Sequence, residues 1–222
     1  MSDDVLRWGE CIQVLQRRLA EPRDPRSAWR VFEPSLAYGR HAGPASASAR
    51  LAAVTVFLYP HQDVPHLALT RRQERLRSHG GQISFPGGSI DAGETASAAA
   101  LRELEEELGV PSAGLQIAGE LSPLFIFNSN FVVTPVVVLA EDRPTFTLQD
   151  AEVAELLETP ISDLLSPSSH GVHIVRRGAA VMEAPHLEVA GKQIWGATGM
   201  ILGEFLSLLA PGRLGRRGLT PL

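Results

Sequence analysis

Both ends of one helix are written into the stretch from Thr95 to Pro111. Thr95 suits an N-cap, because its side-chain oxygen can accept from a free amide of the first turn, and the helix then runs from about Ala96 to Leu108. Gly109 can take the left-handed conformation that ends it, and Pro111 prevents continuation. Leu101, Leu104 and Leu108 form an apolar stripe that has to be buried, which places this helix against a sheet. Leu51–Tyr59 is apolar and β-branched, a buried strand, and His66–Arg71 follows it after a turn around Asp63 and Pro65. Further strands are expected at Ile117–Leu121, Phe131–Leu139, Val172–Val175, Leu187–Val189 and Gln193–Trp195, the last two joined around Ala190 and Gly191. A closing helix spans Met200–Leu209. The mixture predicts an α/β fold with a mixed β-sheet between helices.

The polar side of the Ala96–Leu108 helix breaks a local rule. Glu103, Glu106 and Glu107 are three and four residues apart and share a face beside the leucine stripe. Like charges at that spacing cost roughly 0.2–0.5 kcal/mol per pair, and the negative end of the helix dipole makes Glu106 and Glu107 worse placed still. Lys192, the only lysine, is far away in the chain. A conflict of this kind without a local remedy often marks a functional site. A bound divalent cation is the first hypothesis and a phosphate-handling reaction the second; a plain solvated acidic face is the competing account.

Ahead of this domain, Val5, Trp8, Ile12, Leu15 and Leu19 predict an amphipathic packing helix, capped by Asp3 or Asp4 and ending near Pro22. Glu21 to Arg50 is rich in Pro, Ala, Ser and Arg with little periodicity, and reads as an irregular connection. The expected organisation is a helix and connection over 1–49, the α/β domain over 50–210 and a flexible basic tail over 211–222. The formal net charge of −5 gives no broad electrostatic case for nucleic-acid binding. Cys11 is the only cysteine, so neither an internal disulfide nor a thiolate zinc site is available. No apolar run approaches the roughly 20 residues that span a bilayer, and the acidic N-terminus lacks a signal-peptide core, so a cytoplasmic protein is expected.

Gly88, Glu94, Arg102, Glu103, Leu104, Glu106, Glu107, Gly109 and Val110 match the Nudix box position by position, and the chain resembles a Nudix hydrolase. The resemblance implies an α/β/α sandwich from about Arg50 to Ala210. It implies that Glu103, Glu106 and Glu107 bind Mg²⁺ or Mn²⁺, with the backbone carbonyl of Gly88 completing the site. Mg²⁺ prefers oxygen ligands and is usually held by a few carboxylates plus substrate phosphates. Catalytic roles fall to Glu103, Arg102, Glu106 and Glu107: Arg102 would orient the carboxylates by charge-assisted pairing, and Glu103 could take a proton as well as ligate. Glu94 reads as a partner that fixes the loop, and Glu105 as solvated surface.

Upstream, Leu69, Thr70, Arg72, Arg77, Gly81, Phe85, Pro86, Gly87 and Gly88 fall in register with the signature of the coenzyme A-directed subgroup of that family. Ala68 and Gln73 depart from it, where a leucine and a small Ser or Ala are usual. Ile194–Thr198 and Val153–Leu165 look like the same subgroup, whereas Ser122–Val137 differs from the form expected. The implied reaction is hydrolysis of the diphosphate of coenzyme A and its thioesters, giving adenosine 3′,5′-bisphosphate and a 4′-phosphopantetheine species. Arg72 and Arg77 are the expected phosphate contacts, since arginine forks suit phosphate oxygens. Gly81 permits close approach of the backbone, and His79 could bond either a phosphate or the metal loop. Arg71 and Arg75 read as solvent-facing charge. Two alternatives stay open: a Nudix pyrophosphatase for another nucleoside diphosphate derivative such as ADP-ribose or NADH, and a noncatalytic nucleotide-binding domain. The NADH-directed tail SQPWPF is absent after the box. The expected partner is a small-molecule substrate, with no nucleic acid and no membrane, and a homodimer is left open.

Overall fold

The structure, a computed structural model, describes residues 6–75 and 80–212. Helices α1 (Trp8–Leu19) and α2 (Arg26–Phe32) precede the strands β1 (Arg50–His61), β2 (Val64–Arg72), β3 (Ile83–Ser84) and β4 (Gly87–Ser89). Helix α3 (Ala96–Leu108) is followed by β5 (Gln116–Glu120), β6 (Leu124–Ile126), β7 (Phe131–Leu139) and β8 (Val153–Pro160). The chain closes through α4 (Ile161–Leu165), β9 (His170–Arg177), β10 (Ala180–Val189), β11 (Lys192–Trp195) and α5 (Gly196–Leu209). None of these helices is long and apolar enough to cross a membrane.

Strand β1 is central. It runs parallel to β7, from Arg50 opposite Phe131 to Leu58 opposite Leu139. Its other edge is divided: β4 pairs with the first half, Val54 opposite Gly87, and β2 with the second, Leu58 opposite Leu67. Strand β2 in turn pairs with β3 and β8, and β7 with β5 and β6, all antiparallel, so the eight-stranded sheet is mixed as expected. Strands β9 to β11 were legible as strands, but they form a separate three-stranded antiparallel sheet.

Burial on both faces explains why β1 shows no alternation of polar and apolar residues. Ala53, Phe57 and Tyr59 join the core under α3, together with Ala99, Ala100, Leu104 and Leu108. Thr55 faces the same way and donates its hydroxyl to Ala100 O at 2.7 Å. Ala52, Val56 and Leu58 point to the opposite core, which Cys11, Leu15, Trp29, Phe32, Met200 and Phe205 fill from α1, α2 and α5. Helices cover both faces, which is the α/β/α sandwich.

Two expectations need correction, and one strand has to be added. Glu21 to Arg50 is not simply irregular, because α2 and a short 3₁₀ turn at Arg40–Ala42 lie within it. Helix α2 is too short to show periodicity; burial of Ala28, Trp29 and Phe32 makes it helical. The N-terminal helix begins only after Arg7, where Glu10 accepts from the Arg7 amide at 3.3 Å; its expected caps Asp3 and Asp4, like residues 213–222 of the tail, lie outside the described residues. Strand β8 went unread because Glu155 and Glu158 interrupt it. Arg71 and Lys192 neutralise Glu155, and Arg143 neutralises Glu158.

Candidate active site

The site is built where β4 meets α3. Strand β4 pairs with β1 through Gly87 and Gly88, and a side chain at either position would collide with what is already there, backbone at Gly87 and a movable carboxylate at Gly88. A Cβ on Gly87 would lie 2.4 Å from Ala53 O, and its φ of +155° lies where L-residues rarely go. A Cβ on Gly88 would lie 2.3 Å from Glu103 Oε1. The strand backbone therefore meets a carboxylate of the facing helix directly. Helix α3 has the expected bounds: Thr95 accepts from Ala98 N–H at 3.1 Å, and Gly109 sits at φ +67°.

The three expected carboxylates occupy three depths. The Glu106 side chain is 58% exposed, that of Glu103 is mostly buried against Gly88, and that of Glu107 is 3% exposed. Glu107 does not lie beside the apolar stripe, as expected, but within the buried face with Leu104 and Leu108. Glu105 is exposed, as read. Arg102 organises the rest. Its Nε and Nη2 donate to the two oxygens of Glu94 at 3.0 and 3.1 Å, and Nη2 also donates to Ser89 O at 3.0 Å. Its Nη1 donates to Glu103 at 2.8 Å and to Glu106 at 3.3 Å. Glu94 accepts the Asp91 amide at 3.0 Å, so it ties the loop before α3 to Arg102. That hydrogen-bonded guanidinium lowers the Glu94 pKa.

Glu107 is the electrostatic anomaly. Neither carboxylate oxygen has a well-formed hydrogen bond; Arg72 Nη1 stands 3.8 Å away, and the Gly87 amide pulls less than Arg72 does. Burial pushes its pKa up to about 8, against the opposing pull of Arg72, and the nearby charges of Glu103 and Glu152 push the same way. Burial also raises Glu103, and Arg102 resists. Among the described residues no three His, Cys, Asp or Glu side chains already converge around one point. The donor set is nevertheless that of a hard cation: carboxylate oxygens, one pair buried without donors, beside a glycine backbone that admits close approach. A divalent ion fits these residues, because it would bind carboxylate oxygens of Glu107 that no well-formed hydrogen bond satisfies.

Arg72, expected at the substrate, lies at the end of β2 beside this cluster. Gly81 closes the loop beneath it: the Gly81 amide donates to Arg72 O at 3.1 Å, with Gly81 at φ +74°. Arg77 and His79 lie outside the described residues. Arg71 is not merely solvent-facing, since it pairs with Glu155 at 3.0 Å, and Arg75 donates to Asp150 O at 3.0 Å. Thr198 donates to Ile83 O at 3.2 Å, which fastens the start of α5 to β3. Sequence reasoning missed Glu152, whose Oε2 lies 3.9 Å from Arg72 Nη2. It stands just before Val153–Leu165, the stretch that carried part of the subgroup resemblance, and that adjacency was the available signal.

Comparison with known proteins identifies the family of the chain. Residues 49–174, more than half of the chain, match the NUDIX domain family. The chain is 37% identical over 161 residues to the uncharacterized Nudix hydrolase NudL of Yersinia enterocolitica, covering 72% of this chain and 82% of that protein. It is 45% identical over 118 residues to the Photorhabdus laumondii protein of the same description, covering 51% and 62%. Among solved structures, a Nudix hydrolase from M. smegmatis, RenU, is 22% identical with a TM-score of 0.46, covering 52% of this chain and 73% of that one. A MutT/nudix family protein from Enterococcus faecalis is 17% identical with a TM-score of 0.48, covering 75% and 64%.

Proposed function

The chain belongs to the Nudix hydrolase family, and we propose that it hydrolyses the diphosphate of coenzyme A and its thioesters. Nudix hydrolases generally use divalent ions such as Mg²⁺ or Mn²⁺. Glu103, Glu106, Glu107 and the carbonyl of Gly88 are the groups we assign to hold the ion. Held there, the ion would supply charge neutralisation of the diphosphate, polarisation of a phosphorus centre and a water of lowered pKa. The protein's part is positional. Arg102 spans Glu94, Glu103 and Glu106 and so sets helix and loop in one register. Glu103, steadied by Arg102, serves as ligand or as proton acceptor for the attacking water. Attack at one phosphorus expels the other phosphate, giving adenosine 3′,5′-bisphosphate and 4′-phosphopantetheine or its acyl form.

The observation that carries the substrate assignment is the placement of Arg72. It is one of the signature positions between Leu69 and Gly88, and its guanidinium stands 3.8 Å from Glu107. A phosphate reader beside the ion site suits a substrate with a diphosphate and a separate 3′-phosphate. The test is product mass analysis after incubation with coenzyme A, dephospho-coenzyme A, ADP-ribose and NADH, each with Mg²⁺ or Mn²⁺. Preferential metal-dependent release of adenosine 3′,5′-bisphosphate from coenzyme A is expected. Cleavage of the other substrates alone would discard the coenzyme A assignment and keep the metal-helix chemistry.

A further inference from the structure

The segment 147–153 is fastened from two sides. On one side, Thr147 N–H donates to Leu108 O at 2.8 Å and Gln149 N–H to Glu107 O at 3.0 Å, so the segment satisfies carbonyls left free at the end of α3. On the other side stands Gln73, just past β2. Its amide donates to Glu152 O at 2.8 Å, and its side chain to Asp150 O at 3.0 Å and Val153 O at 3.3 Å. The pairing of β2 with β8 slips between Arg71 and Arg72: Arg71 faces Glu155, but Arg72 faces Val153. Such a slip re-aims side chains.

The outcome is a guanidinium between two carboxylates. Arg72 Nη1 lies 3.8 Å from Glu107 Oε1, and Nη2 lies 3.9 Å from Glu152 Oε2. Both gaps exceed hydrogen-bond length. Charge therefore holds the group toward Glu152, with buried Glu107 beside its other nitrogen, and among the described residues none of its N–H donors is spent in a hydrogen bond. We infer that Glu152 is a positioning residue that holds Arg72 ready for a substrate phosphate, and that Gln73 sets Glu152 in that position. The inference rests on the proposed role of Arg72 as a phosphate contact.

The experiment is a double-mutant cycle in kcat and KM on coenzyme A, with wild type, Glu152→Gln, Arg72→Ala and the pair, plus Gln73→Ser alone and combined with Glu152→Gln. Glu152→Gln raises KM about fivefold, the size of a partly exposed ion pair, with a smaller change in kcat. In the Arg72→Ala background it adds nothing. Gln73→Ser shifts KM in the same direction and adds little to Glu152→Gln. Additive effects of Glu152→Gln and Arg72→Ala would overturn the inference, and so would a fall in kcat with KM unmoved. Failure of wild type to cleave coenzyme A defeats the substrate reading instead. The cycle then runs on the diphosphate substrate that the panel identifies, where non-additivity upholds the Arg72–Glu152 coupling and additivity rejects it.

Discussion

A carboxylate 3% exposed with no well-formed hydrogen bond on either oxygen destabilises a metal-free protein, and Glu107 is such a group. Its folded pKa of about 8 lies above the ordinary 4.5. Between those values the unfolded chain has released this proton and the folded chain has kept it, so the folded state binds more protons and stability falls as pH rises. The contribution is intact below about 4.5 and is lost as pH climbs through 8. Glu107→Gln removes the ionisation. We expect the metal-free variant to be more stable than wild type at pH 8, by on the order of a few kcal/mol, with the gap closing toward pH 5. Thermal melts across that range check this. The same variant should lose roughly a hundredfold in turnover, because one charge of the ion site is gone. Near-wild-type rates at saturating Mg²⁺ would sink the ligand assignment. Arg72→Ala makes a second test at this scale. If Arg72 reads the 3′-phosphate, the loss in kcat/KM should be larger for coenzyme A than for dephospho-coenzyme A, and equal losses would move Arg72 to the diphosphate.

Strand β4 and helix α3 work as one element, and their two glycines separate fold from chemistry. At Gly87 an added Cβ meets backbone, Ala53 O at 2.4 Å, at a φ that L-residues avoid. Gly87→Ala should cost roughly 2–3 kcal/mol, read in a denaturant titration. At Gly88 the obstacle is the far end of a side chain, Glu103 Oε1 at 2.3 Å, which can swing aside. Gly88→Ala should fold nearly as well as wild type and lose about a hundredfold in turnover through the displaced carboxylate. Matched losses of stability in the two variants would refute this division of roles. Helix α3 was legible because its signals are local: Thr95, Gly109 and a leucine stripe act within a turn or two. The depth of Glu107 was not, since spacing fixes only the angle around a helix and the sheet decides which angle is buried. Glu152 was likewise hidden, because the contact that brings it to Arg72 crosses from the residue before β8 to the end of β2, where the register slips. Helix α2 exists through its packing on α5, which no window of its own sequence contains.

Described residues on either side of 49–174 pack on one another beneath the sheet, so the folded unit is larger than the family match. Buried Glu204 of α5 is the clasp. It accepts from Trp29 Nε1 at 3.0 Å, from the Ser122 amide at 2.9 Å and from Arg23 Nε at 3.3 Å, and Arg23 reaches on to Glu120 O. One carboxylate thus joins the N-terminal segment, the loop after β5 and the last helix. Glu204→Ala would strand two N–H donors and a guanidinium, and should cost about 3–5 kcal/mol by thermal or denaturant unfolding. We propose on this packing that 6–49 completes the core and is no appendage to a domain that starts at Arg50. Cys11, Leu15, Trp29 and Phe32 are all buried against the α5 side. At about 1.5–3 kcal/mol for each large apolar side chain, their removal approaches the 5–15 kcal/mol that separates a folded domain from its unfolded chain. A chain beginning at Arg50 should therefore lose the cooperative unfolding transition that the full chain shows by circular dichroism. A sharp transition in the shortened chain, with turnover retained, would restore the division at Arg50 and reduce α1 and α2 to a cover.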